Sequence, residues 1–568
     1  MSTLIRTSGL LAALVSCASS VRATTDYLIV GGGTAGLALA NRLTEDPRTS
    51  VLVLEAGGDG LGNVNISSLA LVGAAWGTDI DWKFPTEPLP NGVSRGVVSR
   101  GKVLGGSSAI NGAVFSRGDR RDFDLWAAAG NPGWATSDVF AASFKSEHFY
   151  PPPANWSIDY VGRDHGYDGL IPTSYGNPAP PIQQDMIASV VNYGGSHSKD
   201  LAGGHVDGMA WITHSRLPSN QTRATSATAY YFPFSYRKNF KVSLYSQATR
   251  IIWKSTGDGN AVAAGVEYVD KSGATHVAKA SKVILSGGVW GSPPILERSG
   301  VGNKTLLNSL GIKSVVDLPG VGEHMTERPI IPMYFALNTS LPLAAPSPLL
   351  MNLESLQETF AEGGDIAKLE SLFVKPDNMA EPVFNIHKTL YNERAAWFEG
   401  YTLPINQAGQ PTIIAWYAGL GRPLSSGSVH INSTDGLAYP LIQYNWWNSE
   451  FDVYATAVAA QRIQNITSTP PFSDWISARI APPASVVTLD DFIAYVPVSA
   501  EQGNHPVGSA VMLPRKDGGV VDPNLKVYGT ANVYVVDASI IPAEPSGHPQ
   551  AVVYAIAERA AELFKSRN

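Results

Sequence analysis

The sequence predicts an α/β domain built on a parallel sheet, with a second, α+β domain of antiparallel sheet plus helices inserted into it. Three observations predict this. Near the N-terminus a short apolar run, Tyr27 to Val30, breaks into Gly31-Gly32-Gly33-Thr34-Ala35-Gly36. A helical stretch, Leu37 to Leu43, follows, and a second apolar run, Val51 to Leu54, ends at Glu55. Further runs of buried-strand character, Val283 to Ser286 and Val533 to Ala538, lie far downstream. Between about Ile330 and Ala500 the pattern changes to strands alternating with amphipathic helices, among them Thr412 to Tyr417, Ser428 to Asn432 and the helix Phe451 to Ile463. The expected division is residues 24–329 for the first domain, 330–500 for the insert and 501–568 for the return to the first domain.

The N-terminal unit is G-x-G-x-x-G between two strands, with an acid at Glu55, 24 residues beyond Gly31. Gly31 permits the tight turn, Gly33 lets the backbone approach a pyrophosphate, and Gly36 lets the helix pack on the strand. The helix N-terminus faces the phosphate charge, and Glu55 is placed to accept from ribose hydroxyls. The chain therefore reads as Rossmann-like and dinucleotide-binding. The motif suits NAD and FAD equally, so the chemistry must come from elsewhere.

At 568 residues the chain has room for two or three core-bearing units of roughly 150 residues each. With 16% charged residues, a net charge of −7 and no basic block, it lacks the features of a partner for nucleic acid or an anionic membrane surface. A small neutral molecule fits that balance.

The first 23 residues read as a secretory signal: Arg6, an apolar run Leu10 to Val15, then small residues ending at Ala23. The apolar run is too short to span a bilayer, and no later stretch is long enough. Cys17, the sole cysteine, lies in this leader, so the mature chain is expected to have no disulfide, thiolate or cysteine metal site. Seven N-x-S/T sequons, at Asn65, Asn155, Asn220, Asn303, Asn338, Asn432 and Asn465, agree with a secreted glycoprotein.

Asp81 to Phe84 reads as a short aromatic strand. Next come Gly101-Lys-Val-Leu-Gly-Gly-Ser107-Ser-Ala-Ile-Asn111-Gly112-Ala113-Val114, small and polar residues in an apolar frame. By itself this suits either a tight helix-entry loop or a chain passing close against a flat ligand. From Gly101 to Asp124 it resembles the first signature of the glucose–methanol–choline flavoprotein oxidoreductases. Gly288 to Gly302 resembles the second, with Val289 where a small residue is usual. The resemblance continues through Ser426 to Asp435, and from Asn504-His505-Pro506-Val507-Gly508 to the C-terminus, so it covers the mature chain and implies FAD. It places Ser107 and Asn111 to Val114 along the cofactor, Thr34, Ala35, Glu55 and Ala56 on its ADP half, Ala248 by the adenine, and Asp537 and Ala538 by the pyrophosphate and ribityl chain. Pro549 and Gln550 open the helix facing the flavin pyrimidine. No histidine occurs between Gly105 and Val114, where some relatives attach the flavin, so non-covalent FAD is expected. The segment Pro319 to Pro329 departs from the family pattern: relatives usually carry Asn and then Asp-His, whereas His324 and Glu327-Arg328 stand here. Residues 150–230, rich in proline and glycine, read as irregular loops.

Two histidines precede prolines near the end: Asn504-His505-Pro506 and Gly547-His548-Pro549. A lone histidine is more often a packing residue, but the family uses these two motifs for its active-site pair. The resemblance implies His505 as the base that takes an alcohol proton and His548 as the holder of the alkoxide, as in the aryl-alcohol oxidase and glucose oxidase-like branch. The expected reaction is oxidation of a primary alcohol on an aromatic, furanic or polyketide-derived skeleton, with O2 or another acceptor reoxidising the flavin. A sugar oxidase or dehydrogenase, or a non-redox cyclase or lyase that keeps its FAD, stands as the alternative.

Overall fold

The computed structural model describes residues 24–257, 259–341, 349–361, 364–405 and 410–566. The expected leader and Cys17 lie outside the described residues. The first strand is Thr25–Val30, and the helix that follows, Thr34–Leu43, begins within the glycine motif rather than at Leu37. Val51–Leu54 is the second strand, as its apolar run predicts.

These strands form the centre of a seven-stranded sheet. Thr25–Val30 pairs in parallel with Val51–Leu54 on one side and with the C-terminal half of Thr275–Leu285 on the other. Phe240–Ser243 and Val533–Val535 extend the parallel array at its two ends. The N-terminal half of Thr275–Leu285 instead joins the antiparallel strands Val262–Val269 and Gln247–Ser255. Leu28, Ile29, Val53, Val283 and Ile284 are fully buried because helices cover the central strands. The long C-terminal helix, Pro549–Lys565, buries most of its residues beside Thr34–Leu43. Arg42 links the two helices by donating from Nε to Glu558 at 2.8 Å, and Tyr230 donates to the same carboxylate at 2.9 Å.

The second sheet has ten strands. Its antiparallel centre is Pro329–Leu337, Ile413–Leu420, Ala396–Ile405 and Leu349–Ser355, in that spatial order. The helix Glu450–Thr467 covers it with Val458 and Ile463 buried and Val453 only half-buried. This sheet also takes in strands from before residue 330. Gly208–Ser215 pairs with Leu349–Ser355, and Ile171–Ser174, Glu147–Phe149 and Val114–Phe115 complete that side.

The stretch 150–230 is thus more ordered than its composition suggests. It contains the helix Pro181–Asn192 and the strand Gly208–Ser215, every residue of which is buried. A strand covered on both faces has no polar alternation to reveal it, and flanking glycines and prolines hide its ends. The short aromatic strand is also broken: Asp81 pairs with Gly101 only as an isolated bridge, Lys83 has φ +52°, which interrupts an extended run, and the strand proper is Phe84–Pro85 against Val97–Val98.

Trp211 tests whether Gly208–Ser215 belongs to the core. It is 2% exposed and donates from Nε1 to Gln183 at 2.9 Å. Trp211→Ala is expected to cost about 3–5 kcal/mol of stability in urea unfolding. A loss within about 0.5 kcal/mol would place the strand outside the core.

Candidate active site

Between the two sheets lies a cavity of about 790 Å³. Gly31, Gly33, Thr34, Ala35, Glu55, Ala56, Ser107, Asn111, Gly112, Ala113, Val114, Ala248, Asp537, Ala538, Pro549 and Gln550 all line it, together with His505 and His548. Gly36 does not. A Cβ there would meet the Gly31 carbonyl oxygen at 2.0 Å, so its contribution is to helix–strand packing and not to the cavity wall. His324 also lies off the cavity, with its ring against Gly518.

At one end the wall is backbone. Gly31 has φ +99°, and a Cβ on it would meet the Ser286 carbonyl at 2.4 Å. A Cβ on Gly106 would meet Cα of Gly33 at 2.7 Å, so the two glycines close on each other without side chains between them. The N-cap of the helix Thr34–Leu43 is Gly33, with no side chain bonded to the first turn. Those backbone N–H groups suit a phosphate. The Glu55 carboxylate accepts from Gly32 N at 2.9 Å and Gly57 N at 2.7 Å, and burial pushes its pKa up to about 7. Asp537 accepts from Gly288 N at 2.8 Å and Ser292 Oγ at 2.7 Å, which joins the last strand to the turn at 286–292. In the middle, Asn111 donates to Gln550 Oε1 at 2.6 Å and accepts from Arg223 Nη1 at 2.8 Å, which ties the strap 101–114 to the last helix. These residues fit a flavin dinucleotide: a side-chain-free cradle, a free helix N-terminus and a buried acid lie along one continuous cavity.

At the other end the two histidine rings lie 4.1 Å apart, tilted by 49°. The His505 backbone N–H donates to Glu327 Oε1 at 2.9 Å, while among the described residues its ring makes no hydrogen bond and Nδ1 is buried without a partner. Burial, with the neighbouring His548, Arg328 and Arg100, pushes the His505 pKa well below the ordinary histidine value. His548 is the N-cap of the helix Pro549–Lys565, and its backbone N–H donates to Ser116 Oγ at 2.9 Å. Its Nε2 lies 2.5 Å from Glu399 Oε1. Burial raises the Glu399 pKa, but His548 and Arg328 outweigh it and the net shift is downward, so Glu399 is a carboxylate. That partner fixes a proton on Nε2 and leaves Nδ1 as the nitrogen able to face a substrate oxygen.

Sequence reasoning singled out the histidines and noted Glu327-Arg328 as a departure without a role, but it missed Glu399 and Glu544 behind them. Glu399 sits inside the apolar strand Ala396–Ile405, and an acid in such a run was its only signal. Arg328 pairs with both Glu399 and Glu544, and all three are buried. Glu327, beside it, is 2% exposed, and burial pushes its pKa up to about 8. His214, Tyr401, Leu403 and Ile405 were also missed as cavity residues, whereas Tyr417, one of the insert's aromatics that could line a pocket, does line it. Tyr401 stands edge-on to His548 at 5.5 Å and stacks on Tyr417 at 4.6 Å.

The fold and this site define a two-domain, dinucleotide-dependent oxidoreductase. The chain belongs to the GMC oxidoreductase family: the N-terminal family model matches residues 25–330 and the C-terminal one 423–557. It is 34% identical to the GMC oxidoreductase family protein Mala s 12 of Malassezia sympodialis, over 95% of this chain and 92% of that one. Among solved structures, an FAD-dependent oxidoreductase from Chaetomium thermophilum superposes with a TM-score of 0.86 at 28% identity, over 96% of this chain and 99% of that one. A fungal aryl-alcohol oxidase superposes at 0.84 and 26% identity, over 96% and 100%. The protein is accordingly an FAD-dependent enzyme acting on CH–OH donors. Among the described residues no helix is long and apolar enough to cross a membrane.

Glu327 gives a pH test of this end of the site. Its folded pKa lies above its unfolded one, so its contribution favours the fold at low pH and is lost as pH rises toward 8. Glu327→Gln keeps an acceptor for His505 N and removes the titration. Urea midpoints should therefore move in favour of the variant between pH 5 and pH 8, and parallel pH profiles would show that Glu327 does not titrate there.

Proposed function

We propose that this protein is a secreted, glycosylated alcohol oxidoreductase that converts a primary alcohol on an aromatic, furanic or polyketide-derived skeleton to the aldehyde or, where the aldehyde closes to a lactol and a second hydride is taken, to the lactone. His505 acts as base, His548 holds the alkoxide, and FAD is bound non-covalently. One observation carries the reading: two histidines in contact at the end of the cofactor cavity, one with a free ring and a depressed pKa, the other tied to a carboxylate. When bound, FAD supplies the hydride acceptor. The protein's own groups handle the proton and the oxygen. His505, neutral at physiological pH, takes the O–H proton at an unpaired ring nitrogen. His548, with Nε2 committed to Glu399, presents Nδ1 to the oxygen, and when both its nitrogens are protonated it donates to the alkoxide. Stacked Tyr401 and Tyr417 beside His548, with Leu349, Leu403 and Ile405 on the same wall, suit an apolar or aromatic skeleton better than a free sugar. Exposed Asn155, Asn220 and Asn432 suit glycosylation, whereas Asn303 caps a helix and Asn465 donates to Tyr193 at 2.8 Å.

The test is anaerobic mixing of the yellow holoprotein with a panel of primary alcohols. Bleaching of the flavin band supports the reading, and a band unchanged by every alcohol overturns it. His505→Ala should retain FAD and slow flavin reduction by about 10²–10⁴-fold, and a near-normal rate would place the base elsewhere. His548→Asn should be milder than His548→Ala, since Asn still donates a hydrogen bond.

The pH profile of that same step is a separate check. The acid limb of flavin reduction should lie below the pH at which an ordinary histidine titrates, because the His505 pKa is depressed. An acid limb at or above that pH would exclude His505 as the group responsible.

A further inference from the structure

We propose that Arg328 is the positioning residue of His548: it holds the Glu399 carboxylate against the imidazole and ties down the segment that carries His548. The assignment starts from a departure already visible in the sequence, the Glu327-Arg328 pair. The guanidinium is 1% exposed, and each of its three nitrogens is engaged. Nη1 pairs with Glu399 Oε2, whose other oxygen meets His548 Nε2. Nε donates to Glu544 Oε1 at 2.6 Å. Nη2 donates to the carbonyls of Pro545 at 2.9 Å and Gly547 at 3.4 Å, immediately before His548 in the chain. One planar, permanently charged group thus fixes both what the ring bonds to and where its backbone sits. Arg422 Nη1 supports the same segment by donating to the Glu544 carbonyl at 3.2 Å. Arg328 touches neither histidine ring through a hydrogen bond, so it acts through Glu399 and the 544–547 segment.

The alternative is a bland one, in which Arg328 only neutralises two buried acids. A lysine would do that much, but it cannot span two carboxylates and two carbonyls in one plane. The two roles differ in what a substitution does to the His548–Glu399 bond.

The proposal rests on the reading of His548 as alkoxide holder, and the experiment separates the two. The first measurement needs no substrate: the proton spectrum of the FAD-loaded protein. A proton held between Nε2 and a carboxylate at 2.5 Å gives a far-downfield resonance. It is expected in the wild type and absent from His548→Asn, Glu399→Gln and Arg328→Met, and it should be weakened or lost in Arg328→Lys, which keeps the charge but not the planar fork. The second measurement is anaerobic flavin reduction by an alcohol that the wild type oxidises. Arg328→Met and Glu399→Gln should each slow it by about 10²-fold, and the double variant should be no slower than the worse single one, because both act through the same contact. A resonance missing from the wild type, or unchanged in Arg328→Met or in Arg328→Lys, overturns the proposal, as does a double variant in which the two losses multiply. Should Arg328→Met fail to fold, Arg328→Met combined with Glu544→Gln removes the orphaned second acid and carries the same test. If no alcohol reduces the wild type, the functional reading falls, while the resonance still decides the role of Arg328.

Discussion

The cavity depends on backbone approaching backbone at places where no side chain fits. The glycine motif sets Gly36 so close to Gly31 that a Cβ would lie 2.0 Å from its carbonyl oxygen. The strap at 101–106 repeats the device, since a Cβ on Gly101 would meet the Gly106 carbonyl at 2.1 Å. These contacts bring a helix N-terminus, a strand end and a loop from 70 residues later to one spot. Wider spacing would leave the helix amides facing water, and the anion-binding field would be screened. Everything downstream inherits this placement, because Asn111 and Gln550 link the strap to the helix that His548 begins.

At the opposite end, geometry is held by charge in a low-dielectric setting. Four groups, Glu327, Arg328, Glu399 and Glu544, are buried behind the histidines. Removing ions from water costs several kcal/mol each, so such a cluster is a poor way to stabilise a fold. What it does provide is direction. Glu399 faces His548 with one oxygen and Arg328 with the other, while Glu327 accepts the backbone N–H of His505. Burial leaves Glu544 with a pKa near 7 and Glu327 near 8, so Glu399 is the acid held firmly in its charged form. That difference makes it the partner able to fix the His548 tautomer.

Much of the fold was legible locally. Apolar runs at 27–30 and 51–54, the glycines between them and the acid at 55 specify strand, turn, helix and strand, because each depends on neighbours within a few residues. Asn111 to Val114 and His548-Pro549-Gln550 were assigned only through the family resemblance, since taken alone the first stretch suits a loop as well as a ligand contact and a lone histidine suits packing. Gly208–Ser215 was not legible, since a strand buried on both faces carries no periodic signature and its partner, Leu349–Ser355, lies more than 130 residues away. Glu399 was missed likewise: its partners stand at 328 and 548, and nothing near 399 announces either.

The sequence by itself determined the dinucleotide-binding unit, the pair of histidines before prolines and the lack of a basic block, all properties of short segments or of composition. Only the tertiary structure decided which atoms of those histidines are free, which acid stays charged and which residues wall the substrate end. Those outcomes follow from desolvation and from contacts between distant segments. Both exist only once the chain has closed around the cavity.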